Sequence, residues 1–169
     1  MSKKLITILS LIILCLCLAF SACGDNSDNT DKTDGQGEEY GQDSGDESEE
    51  ITEMYINVNG NKLKVTLERN STADALVEIL KQGDIVYTAY GNSFEIYGDI
   101  GRELPAADTR ITSQPGDVLL WAGSNICIFF GNNSYSYTRI GKIDGYTAGE
   151  LRTLLGAEQG SVQVAISLK

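Results

Sequence analysis

Histidine is absent from the 169-residue chain, and cysteine occurs only four times. Cys15 and Cys17 lie in an apolar leader, Cys23 directly follows it, and Cys127 alone belongs to the rest. Imidazole-based catalytic triads are therefore excluded, as are zinc sites, which draw their nitrogen and sulfur donors from these two residue types. With one thiol left over, no intramolecular disulfide is available. Bases are scarce too: 13 Lys and Arg face 24 Asp and Glu, for a formal net charge of −11. A nucleic-acid-binding protein needs a basic face that displaces counterions from phosphate, so nucleic acid is excluded as a partner. There is also no apolar run of the about 20 residues that a membrane-spanning helix requires. Neither a metal nor a cofactor is expected.

What is present divides into three segments. In residues 1–22, Lys3 and Lys4 precede an apolar run from Leu5 to Phe20, and small residues follow it. A basic start, a short apolar core and a small-residue cleavage site describe a secretory signal. Phe20-Ser21-Ala22-Cys23 resembles a bacterial lipobox. The Cys23 sulfur would then carry a diacylglycerol, and Cys23 would become the new amino terminus. Two acyl chains give stable anchoring where one does not. Residues 23–50 are the lipidated cysteine and a tether. From Gly24 to Glu50 there is no Val, Ile, Leu, Met or Phe, and 11 acids stand against Lys32 alone. Such a stretch buries too little surface to offset its conformational entropy and is expected to be a disordered spacer. Together these features predict a lipoprotein held on the cell membrane, with its domain facing away from the cytoplasm.

Residues 51–169 form the folded domain, nearly balanced at 13 acids to 10 bases. Met54, Ile56 and Val58 alternate with polar residues, Asn59-Gly60 supplies a turn, and Leu63, Val65 and Leu67 alternate again. This is a β-hairpin with one buried face. Asn70 to Asp74 caps a helix whose stripe is Ala73, Leu76, Val77 and Leu80. Thr147 and Glu150 form a capping box for a second helix, with Leu151, Leu154 and Leu155 inward and Gly156 as its stop. Strands are expected at 85–89, 94–97, 118–121, 126–130, 138–143 and 162–168, with a short one at 110–112 and a polar loop at 131–137. The pattern predicts a mostly β domain, an antiparallel closed barrel of about eight strands with two short helices.

Three stretches carry a family resemblance: Asn70-Ser71-Thr72-Ala73 leading into Leu76; Pro115-Gly116-Asp117-Val118-Leu119-Leu120-Trp121 with Ile126-Cys127-Ile128-Phe129-Phe130; and Tyr135-Ser136-Tyr137-Thr138-Arg139-Ile140-Gly141-Lys142-Ile143. Together they resemble the bacterial cyclophilin-like domain family. The resemblance implies an eight-stranded barrel closed by two helices over 52–168. It carries over no catalytic residue. Cyclophilins with prolyl isomerase activity have a Phe-His-Arg strand and a Gln-Gly-Gly stretch. Here the strand after the first helix reads Ile85-Val86-Tyr87-Thr88-Ala89-Tyr90, and the Gln-Gly-Gly stretch is missing. A fold does not bring its function with it.

The candidate ligand-binding residues are Tyr135, Tyr137, Arg139, Trp121 and Arg102. Alternation places Tyr135, Tyr137 and Arg139 on one strand face, where two rings and a guanidinium suit an anionic ligand or a peptide. The competing reading pairs Arg139 with Asp117 or Asp144 at the barrel rim. Trp121 ends a strand beside Ala122-Gly123, where rings line grooves or cap cores. Arg102 lies in a mobile-looking loop. Glu95 and Asp99 flank Tyr97 and could share acid–base work, although an acidic chain places such pairs by chance. Cys127, between Ile126 and Ile128, reads as a buried, inert thiol. The expected function is that of a membrane-tethered binding module for a small anionic ligand or peptide, without isomerase activity. The alternatives are a degenerate prolyl isomerase and a structural or partner-docking envelope domain.

Overall fold

The computed structural model describes residues 50–169; the leader, Cys23 and the tether through residue 49 lie outside the described residues. Alternation sets the first two strands. In β1 (Glu53–Val58) Met54, Ile56 and Val58 are buried, and in β2 (Asn61–Leu67) so are Leu63 and Val65. Asn59 and Gly60 both have positive φ, 50° and 77°, the backbone that a tight two-residue hairpin turn requires. Helix α1 (Ser71–Leu80) starts at Asn70, whose side-chain oxygen accepts from the amides of Thr72 and Ala73, each at 3.0 Å. The expected stripe of Ala73, Leu76, Val77 and Leu80 is buried. Next come β3 (Ile85–Gly91), β4 (Glu95–Asp99), β5 (Thr109–Thr112), β6 (Asp117–Trp121) and β7 (Asn125–Phe129), and then β8 (Ser134–Lys142), α2 (Ala148–Leu154) and β9 (Ser161–Ser167). The capping box of Thr147 and Glu150 starts α2; Leu151 and Leu155 are buried, while Leu154 is half-buried.

The strands pair antiparallel in the order β2-β1-β9-β3-β4-β7-β6-β8, and β8 returns to β2. A ring of eight strands results, with the core inside it and the two helices packed against that core. The mostly β fold expected from the pattern is present. One boundary differs by more than two residues. The segment read as a loop over 131–137 is strand from Ser134 onward, because β5 lies alongside and pairs Thr109 with Tyr137 and Thr112 with Ser134.

The ring closes on a short seam. Thr66 pairs with Lys142 and Leu67 with Gly141. The Glu68 amide donates to the Ile140 carbonyl at 2.9 Å, and the Asn70 side-chain amide donates to the Arg139 carbonyl at 3.0 Å. The register of β6 against β8 shifts between Val118 and Leu119. That irregularity turns Ile140 and Gly141 both inward. Arg139 and Lys142, which strict alternation would put on opposite faces, therefore both flank Asp117. Gly141 is required here: a Cβ on it would come within 2.5 Å of the Thr66 carbonyl oxygen and 2.7 Å of Val65 Cγ1. The carbonyl belongs to the backbone of the partner strand and cannot swing away, and the Val65 side chain is fully buried in the core. Gly141→Ala is expected to lower stability by about 1–3 kcal/mol, as overpacking at a rigid contact does. Chemical denaturation of the variant checks this, and an unchanged midpoint contradicts the seam as described.

Candidate functional site

Strands β6 and β7 are apolar on both faces. Val118, Leu120, Ile126 and Ile128 point into the ring and are fully buried. Leu119, Cys127 and Phe129 point outward and are equally buried, because Ile111 of β5 and Tyr137 of β8 join them in a second cluster, with Phe94 and Tyr97 packed against it. Over this outer cluster lies a pocket of about 250 Å³, lined by Asn92, Glu95, Tyr97, Trp121, Asn133, Tyr135 and Tyr137. Its aromatic walls interlock edge to face. Tyr97 and Trp121 have ring centroids 6.2 Å apart at 82°, and Tyr135 and Tyr137 are 5.9 Å apart at 61°. Phe129 supports Tyr137 at 5.5 Å. Trp121 (37% exposed) and Tyr135 (54% exposed) form the rim, whereas Tyr137 is buried.

The charged group in this pocket is Glu95, itself only 7% exposed. Asn92 fixes it: its side-chain oxygen accepts from the amides of Phe94 and Glu95 at 2.9 and 3.0 Å, and its Nδ2 donates to Glu95 Oε1 at 3.1 Å. Glu95 Oε2 is buried without a hydrogen-bond partner. Burial holds this carboxyl above the usual range, against the opposing pull of the Asn92 amide and the Cys127 thiol. The Tyr137 hydroxyl accepts from Asn133 Nδ2 at 2.8 Å, and burial, with Glu95 nearby, pushes it up to about 12. Burial raises the Cys127 thiol as well, in keeping with an inert cysteine. Among the described lining residues there is no Lys or Arg.

Three of the five residues singled out in the sequence meet at this pocket: Trp121, Tyr135 and Tyr137. Arg139 lies on the same face but two residues further along β8, and its Nη1 sits 3.9 Å from Asp117 Oδ2. Asp117 is buried; it accepts from Lys142 Nζ at 2.8 Å and from the Gln114 amide at 2.8 Å. Arg139 is thus the outer, half-exposed cation of an acid already matched by Lys142, an arrangement that stabilises by about 0–1 kcal/mol. Arg102 lines a different cleft, with Ile79, Gln82 and Ile100 among its neighbours. Glu95 and Asp99 do not act as a pair: Asp99 is exposed and accepts from the Gly101 amide at 2.7 Å.

With this geometry in place, comparison with known proteins is informative. The profile of the cyclophilin-like family matches residues 56–167, which is most of the chain. The chain belongs to the cyclophilin-like family. Among solved structures it is similar to the hypothetical protein AF2241 from Archaeoglobus fulgidus, at 20% identity and a TM-score of 0.54, covering 72% of this chain and 99% of that one. A second similar structure is McbB, solved in complex with tryptophan, at 15% identity and a TM-score of 0.47. That match covers 68% of this chain and 44% of McbB. No curated protein matched. The likeness to AF2241 at this identity is one of fold.

Within this cyclophilin-like domain, Asn92 and Asn133 escaped the sequence reading, Tyr97 entered it only as the residue between Glu95 and Asp99, and Glu95 was paired with Asp99 for acid–base work that an acidic chain also offers by chance. The available signal was local: Glu95 and Tyr97 alternate with Ile96, so both face the same side of β4. The raised carboxyl of Glu95 links stability to pH. The folded protein holds this proton more tightly than the unfolded chain. Stability from this group is therefore full below the ordinary value of 4.5 and declines as pH rises through the raised folded value. Glu95→Gln keeps an acceptor for Asn92 and removes the ionisation. Relative to the parent, it should gain stability as pH rises from 4 to 8, read from thermal melts. A parallel pH dependence in the two proteins contradicts the burial of a titrating Glu95.

Proposed function

We propose that this cyclophilin-like domain is a binding module, held outside the cytoplasm by a lipid on Cys23, that takes a small ligand or a single peptide side chain. The observation that carries the reading is the aromatic pocket over the outer face of β6 and β7. Its volume of about 250 Å³ lies just under the roughly 300–1,000 Å³ of sites for drug-sized ligands, so it suits a group of one side chain's size. Two of its rings, Trp121 and Tyr135, are exposed at the rim of one pocket, and adjoining aromatic surface of this kind marks binding sites where scattered single residues do not. The lining acid favours a neutral or cationic group over the anion that Arg139 suggested, since Arg139 stands beside Asp117. Prolyl isomerase turnover is not part of the proposal: the described lining residues include no guanidinium to stabilise a twisted amide. A protease-coupled prolyl peptide assay separates the module from the degenerate isomerase.

Trp121 is the only tryptophan in the chain, so its emission reports on the pocket. Titration with blocked single amino acids should give a saturable change for at least one of them. Tyr135→Ala should weaken that binding about tenfold while shifting stability by no more than about 0.5 kcal/mol, as expected for an exposed side chain. A flat response across the panel contradicts the reading. The anchor rests on the Phe20-Ser21-Ala22-Cys23 stretch. Metabolic labelling with a fatty-acid analogue should mark the parent and not Cys23→Ala, which should leave the membrane fraction. A membrane-bound, unlabelled parent contradicts it.

A further inference from the structure

Four rings surround one buried carboxylate in this pocket, and that combination has a definite chemical preference. Aromatic faces carry negative electrostatic potential and attract cations placed within about 6 Å of the ring centre, most strongly once water is excluded. A carboxylate in the same low-dielectric space attracts a cation and repels an anion over several ångströms. Tyr97, Trp121, Tyr135 and Tyr137 line the pocket with aromatic rings, and Glu95 supplies the charge. Glu95 is only 7% exposed, and its Oε2 is buried without a hydrogen-bond partner. A carboxyl buried in the pocket wall favours a cationic group in the adjoining space over an anionic one.

Resting on the pocket reading above, we infer that the ligand carries an alkylammonium group, seated between the Tyr97–Trp121 and Tyr135–Tyr137 pairs with Glu95 as its counter-charge. The volume fits a substituted ammonium and little more. The other titratable groups facing Glu95 do not compete for this role. Tyr97 is on its own strand, Cys127 on β7, and Tyr135 and Tyr137 on β8. Burial keeps the Cys127 thiol and the Tyr137 hydroxyl protonated near pH 7, so both stay neutral. Glu95 is then the one lining acid that answers a positive charge. Where Glu95 begins protonated, cation entry displaces its proton to solvent, so affinity should fall as pH is lowered.

The test is a set of titrations on the full chain, read through Trp121 emission. The probes are choline, its neutral carbon isostere 3,3-dimethyl-1-butanol, and N-acetyl-lysine methylamide. Choline or the lysine derivative should bind at least about tenfold more tightly than dimethylbutanol. Tighter choline binding assigns a free quaternary cation, and tighter lysine binding assigns a peptide side chain. Glu95→Gln should erase the preference for the cation while keeping the neutral isostere, and should flatten the pH dependence. If dimethylbutanol binds as well as the cations, or if Glu95→Gln keeps the preference, the cation inference falls and the pocket reading stands. If no probe perturbs Trp121, both fall.

Discussion

Burial of β6 and β7 on both faces is the constraint on which the rest of the molecule depends. A ring of eight strands needs its inner face filled, and Val118, Leu120, Ile126 and Ile128 do that. The same two strands also carry Leu119, Cys127 and Phe129 on the outside, where an ordinary antiparallel strand would show polar residues to water. That outer row has to be covered, and the cover comes from four residues on three other parts of the chain. Ile111 of β5 and Tyr137 of β8 close one side; Phe94 and Tyr97 close the other. Between them the cover is incomplete, and the gap is the pocket. Its position follows from how the outer row is roofed rather than from a loop that happens to be long.

A roof made of aromatic side chains is what lets a carboxylate sit inside. Glu95 enters the pocket because it alternates with Ile96 of the inner core, and Asn92 locks its backbone and one oxygen in place. The other oxygen is left without a partner. A fold selected only for stability would do better with an apolar residue of similar shape, since an unpaired buried acceptor costs more than it returns. The family-level fold, with its ring and two helices, is the frame that positions this carboxyl.

The sequence was most legible where structure is local. The hairpin around Asn59-Gly60, the Asn70 cap and the Thr147–Glu150 box each declare themselves within a few residues, and each is present. The start of β8 was not legible, because Ser134-Tyr135-Ser136 has no apolar alternation and is strand only through its pairing with β5. Alternation placed Arg139 correctly on the face shared with Tyr135 and Tyr137. Two residues of strand beyond Tyr137 nevertheless add roughly 7 Å, which brings Arg139 beside Asp117 rather than into the pocket lining. Glu95 looked like one acid among many because the rings that desolvate it arrive from β6 and β8, far along the chain. Burial of this kind is a property of the closed ring and leaves no local pattern.

The central claim is that a buried, titrating carboxyl lies inside an aromatic pocket on the outer face of the ring. Its most direct test is the carbon-13 resonance of the Glu95 side-chain carboxyl, followed by NMR against pH in the ligand-free protein. The account predicts a midpoint clearly above the ordinary 4.5, moving downward when choline is added. A midpoint at or below 4.5, unmoved by the cation, would contradict it.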